Sequence, residues 1–181
     1  MASAWATAIS MLMLRVLATM FLAASMALMI TNKYTDSNGT KTTFKDIIAY
    51  RYVLATAASG IAYGLLQLPF AVYYAYTEKR LLLKDYMPEF DFYGDKIISY
   101  FLASGVGAGF AVSFELKRYV DRFFFFRGLL QLAEEDKSKA DKFLDRGSIA
   151  TGLIAGGFLC MAVVSVLSSM NRTLRSRGFF K

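Results

Sequence analysis

Apolar side chains in this chain fall into long unbroken blocks separated by short polar stretches, with little of the strict alternation that marks strands. Four blocks, at about 8–30, 48–76, 92–114 and 148–170, each supply the roughly 20 residues that a helix needs to cross a bilayer. The pattern therefore predicts an all-α membrane protein, a bundle of four transmembrane helices in one domain spanning 1–181. Pro69 falls late in the second block, where it removes a backbone donor and is expected to bend the helix. Residues 1–14 carry no charged side chain, which fits a retained first helix better than a cleaved signal with its basic start.

The segments between blocks are short. "TNKYTDSNGTKTTFKD" in 31–47 carries turn formers, and 77–91 forms the middle loop. The stretch 115–147 is the longest, and is expected to prolong the third helix and then lie along the membrane surface.

Composition sharpens this picture. Of 181 residues, 56% are hydrophobic and 19% charged, more apolar and less charged than is usual for a soluble domain. The net charge of +7 is spread over the connecting segments, so anionic lipid headgroups are expected as its counter-charge and nucleic acid is not. A single cysteine, Cys160, and no histidine exclude an intrachain disulfide and most hydrolase and metalloenzyme designs. No enzyme, metal or cofactor is expected.

Within the first block stands Arg15, a charge that costs a few kcal/mol at such depth even on lenient insertion scales. It lies about seven residues, or roughly 10 Å, inside the span. Helices one and three run parallel in an up-down bundle, which places Asp95 within reach of a guanidinium snorkelling toward its nearer interface and Glu115 at the opposite end. Arg15 and Asp95 are the expected intramembrane pair. Glycines spaced four apart occur in three helices, at Gly60 and Gly64, Gly105 and Gly109, and Gly152 and Gly156. This spacing allows close helix approach, within the bundle or between copies. Phe123–Phe126, Tyr73, Tyr74 and Tyr76 are expected at the membrane interface, in contact with lipids or sterols, and Lys79, Arg80, Arg172, Arg175 and Arg177 beside anionic headgroups.

Orientation is contested by two signals. Lys and Arg are richer in 31–47 and 115–147, which favours those loops facing the cytosol. The sequon at Asn38 is modified only if its loop faces the lumen, and a second at Asn171 requires the opposite topology. Composition leaves both orientations open.

Several stretches together carry a resemblance. "LRVLA" around Arg15, "FKDIIAYRYVLATAASGIAYGLLQLPFAVYYAY" over 44–76, "GDKIISYFLASGVGAGFAV" with Asp95, and "FLDRGSIATGLIAGGFLCMAVVSVLSS" resemble, in order and spacing, the Casparian strip membrane domain protein-like family of plants. The resemblance implies a MARVEL-like four-helix fold at the plasma membrane with cytosolic termini. The loops 31–47, with Asn38 as its glycosylation site, and 115–147 would then be extracellular, and 77–91 cytosolic. It further implies a homo-oligomer, or a hetero-oligomer with family members, acting as a membrane scaffold or diffusion fence that recruits cell-wall-modifying partners. The first loop lacks the aromatic-rich stretch of the barrier-forming members, which sets this chain among their relatives. The competing reading is a small channel or transporter built on Arg15 and Asp95.

Overall fold

The computed structural model describes residues 2–35, 39–77, 87–127 and 133–178. Four helices dominate: α1 (Ala2–Thr31), α2 (Ile48–Thr77), α3 (Met87–Arg127) and α4 (Ala133–Gly178). All four contain a stretch long and apolar enough to cross a membrane. α1 packs against α2 and α4, and α3 packs against the same two, so α1 and α3 face each other across the centre of the bundle.

Two departures from the hydropathy reading have physical causes. The segment after α1 is more than a turn: β1 (Lys33–Thr35) pairs antiparallel with β2 (Lys41–Thr43), Tyr34 facing Thr42. Gly39 at its tip has φ +81°, a conformation that other residues adopt only with strain. Next, the stretch 115–147 prolongs the third helix as expected, but its second part is the start of α4 and not a surface-lying segment. α3 continues to Arg127 and α4 already begins at Ala133, the two prolongations joined by Lys117–Asp145 at 2.8 Å and Lys137–Asp121 at 2.9 Å. Hydropathy reports where lipid ends, whereas Leu, Glu, Lys and Arg support a helix well past that point. α2 runs as one helix through Pro69 to Thr77, and the proline deprives the Leu65 carbonyl of its usual in-helix donor.

The core combines apolar packing with polar ties between helices. Ala18, Leu22, Tyr50, Val53, Leu102, Ala150 and Ile154 are all but inaccessible. Ser25 donates to the Ala150 carbonyl at 2.6 Å, and the Tyr50 and Ser113 hydroxyls are 2.9 Å apart. In lipid a polar group left unpaired has no water to turn to, so these hydroxyls bond across the bundle.

Candidate functional site: a charged centre within the bundle

Arg15 and Asp95 meet where the N-terminal halves of α1 and α3 face each other. The Arg15 Nη2 donates to Asp95 Oδ2 at 2.8 Å, with side-chain exposures of only 3% and 0%. Because α1 and α3 are diagonal neighbours, the bond crosses the bundle axis. α2 closes the site from the side. The Tyr63 hydroxyl donates to Asp95 Oδ1 at 2.8 Å, and Gln67, one turn further along, donates its Nε2 to the Tyr63 oxygen at 2.9 Å. Both carboxylate oxygens of Asp95 are thus engaged, one by a cation and one by a phenol. Each such charge-assisted bond is stronger than a neutral one.

Backbone close to the site is shaped to admit these groups. A Cβ on Gly94 would stand 2.6 Å from the Tyr63 hydroxyl, so only glycine beside Asp95 lets that phenol approach. A Cβ on Gly64 would fall 2.7 Å from Thr19 Oγ1, the hydroxyl that donates to the Arg15 carbonyl at 2.8 Å. One guanidinium nitrogen, Nη1 of Arg15, is buried without a partner among the described residues.

Tyr63, Gln67 and Gly94 complete the site, and Gln67 alone among them stands out in the sequence, as an amide inside an apolar helix. Tyr63 reads like any interfacial aromatic, and Gly94 like any helix-start glycine. The available signals were the four-residue spacing of Tyr63 and Gln67 and the adjacency of Gly94 to the only span-edge aspartate at that depth.

The small-residue positions divide. A Cβ on Gly60 would meet Leu22 at 2.7 Å, one on Gly109 would meet Thr151 and Val53, and one on Gly105 would overlap Thr56. Gly156 faces the Phe21 ring at 3.5 Å. These glycines, with Gly64, bring helices of one bundle together. Gly152 has nothing within 4 Å of its Cβ position and looks outward. Asn38 lies outside the described residues, as do Lys79, Arg80 and the side chains of Tyr74, Tyr76, Phe124–Phe126, Arg172, Arg175 and Arg177. Cys160 is half-buried and free. Among the described residues no group of three or more His, Cys, Asp or Glu gathers as metal ligands do.

A predominantly helical membrane protein with four spanning segments and an ion pair across its centre is the class that these features define. The chain belongs to the Casparian strip membrane protein family: the model of the Casparian strip membrane protein domain matches residues 5–122. It is 40% identical to CASP-like protein 4D1 of Ricinus communis, with 91% of each chain covered. It is 38% identical to CASP-like protein 4D2 of Arabidopsis lyrata subsp. lyrata, over 90% of this chain and 88% of the relative. Identity to CASP-like protein 4D1 of Sorghum bicolor is 37%, over 92% and 93% of the two chains. No solved structure matches.

Proposed function

We propose that this protein is a non-enzymatic plasma-membrane tetraspan with cytosolic termini that assembles with copies of itself or family members into a scaffold or fence and recruits partners at its surface, cell-wall-modifying proteins among them. The observation that carries this reading is the saturation of the Asp95 carboxylate. Asp95 is bonded on both oxygens by side chains of α1 and α2, which locks three helices into one rigid unit. A carboxylate poised for transport would be expected to exchange partners along a polar path. A rigid bundle instead offers fixed outer faces on which neighbours can dock. Family membership supports the same reading.

The test is lateral mobility in a native membrane. A tagged copy is expected to recover slowly after photobleaching and to cross-link to further copies. Free diffusion together with a strictly monomeric cross-linking pattern would remove the scaffold reading.

One observation favours the second reading, a small channel or transporter: the partnerless Arg15 Nη1 leaves a cationic donor at the bundle centre. That reading expects solute flux in proteoliposomes that disappears in Asp95→Asn. No flux above protein-free vesicles would end it.

A further inference from the structure

At the end of the bundle opposite to the Arg15 site, the chain builds a basic pocket of about 170 Å³. Its floor is Asn32, Tyr34 and Phe143, and its rim is Lys33, Lys139, Lys142 and Arg146. The floor is well defined. Asn32 follows α1 directly, its amide donating to the Phe143 carbonyl at 2.7 Å, while the Tyr34 and Phe143 rings pack at 5.3 Å. These contacts tie α1, β1 and α4 together at one corner.

Helical spacing accounts for the charge. On α4, Lys139, Lys142 and Arg146 follow one another at three and four residues and so share a face with Phe143. The carboxylates Asp141 and Asp145 belong to the face turned toward α3, where Asp145 holds Lys117 at 2.8 Å. Among the described residues no acid lines the pocket. Lys33, Lys142 and Arg146 make no ion pair among the described residues. Asn32, only 1% exposed, keeps its Oδ1 without a partner among the described residues. Four cations around an apolar floor, beside an amide acceptor with nothing to accept from, describe a site for an anion that also carries hydroxyl groups.

Depth narrows the choice. The first spanning segment ends at Thr31, next to Asn32, and in the sequence Arg146 is the last charged residue before the uncharged run 147–170 of α4. The pocket therefore opens at headgroup level. The geometry points to a binding site for a phosphate group, presented there by the headgroup of an anionic phosphate-bearing lipid of the leaflet remote from the termini, the outer one under the orientation proposed above. Arg146 supplies a planar fork suited to two phosphate oxygens, and the lysines supply point charges around it.

The experiment is native mass spectrometry of the full chain in neutral detergent, titrated with phosphatidylinositol or phosphatidylcholine. Wild type is expected to retain phosphatidylinositol at least about tenfold more tightly, because the choline cation that neutralises the phosphate of phosphatidylcholine is repelled by the four basic side chains and brings no hydroxyl to Asn32. Lys142→Gln with Arg146→Gln should abolish that preference. Arg118→Gln with Arg122→Gln removes two charges from the neighbouring α3 prolongation and should leave it intact. Should the first pair fail to fold by circular dichroism, Lys33→Gln with Lys139→Gln takes its place. Inositol monophosphate identifies the source. No competition in large excess assigns the phosphate to a lipid, and competition at matching concentration assigns it to a soluble phosphate. Equal retention of the two lipids, unchanged preference in the pocket variants, or equal loss in the α3 control pair overturns the site.

Discussion

A guanidinium inside a bilayer is held by whatever anion its neighbours bring to it, and for Arg15 that anion is Asp95, 2.8 Å away and fully buried. Removing one partner strands the other, at a typical cost of 3–5 kcal/mol. Asp95→Asn and Arg15→Ala are each expected to destabilise the bundle by about that amount in detergent unfolding. The double variant Arg15→Ala with Asp95→Ala should lose clearly less than the sum, because no charge is then left alone. Additive losses would mean that the two side chains act independently. Gly94 extends the argument to packing. Gly94→Ala would press a methyl against the Tyr63 hydroxyl and should cost about 1–3 kcal/mol. In a Tyr63→Ala background, where the hydroxyl and the ring carbons that would stand 2.9 and 3.1 Å from that methyl are all gone, the cost should fall; an unchanged cost would place the strain elsewhere. The ion pair could be read from the sequence because depth in parallel helices depends only on residue count. The phenol and the glycine could not, because their roles depend on how far α2 rotates and how closely it approaches α3.

At the scale of elements, hydropathy located every span but not the helix ends. It measures the preference for lipid and is silent about where backbone hydrogen bonding stops, so the prolongation of α3 is expected but the early start of α4 that pairs with it is not. Their bridges are exposed, with Lys117 at 44% and Asp145 at 56%, and exposed bridges contribute little individually. The hairpin was hidden for another reason: strands of three residues are too short for an alternation to register. Its exit is fastened by Asp46, whose Oδ2 accepts from the Thr43 amide at 2.7 Å and the Thr43 hydroxyl at 3.0 Å. Those bonds, the amide first, hold the Asp46 carboxyl below its ordinary range. A lowered folded value means that the fastening is present above the ordinary aspartate pKa and fades as pH falls through the lowered one. Protection of the Thr43 amide from hydrogen exchange should therefore be full near neutrality and decline below about pH 4, after correction for intrinsic exchange. Asp46→Asn should flatten that dependence. A wild-type profile already flat across the acid range would remove Asp46 from this role.

For the whole molecule, the glycine spacings separate inner faces from outer ones. Five of the six glycines singled out by spacing have side chains of neighbouring helices at their Cβ positions, and Gly152 has none. Around it on α4 lie exposed Ile149, Leu159 and Val163, an apolar strip with a shallow notch. In a lone bundle this strip meets lipid tails, and filling the notch costs nothing. Gly152→Leu should then leave unfolding within about 0.5 kcal/mol of wild type, whereas Gly109→Ala, forced against Thr151 and Val53, should lose about 1–3 kcal/mol. An assembly packed through α4 reverses the order in a second measurement. Gly152→Leu should reduce cross-linked oligomers in native membranes and speed recovery after photobleaching, while a folded Gly109→Ala should leave both unchanged. Stability and assembly would thus respond to different glycines of one helix pair. If Gly152→Leu altered neither readout, α4 would be a lipid-facing helix and any contact between copies would have to lie on another face.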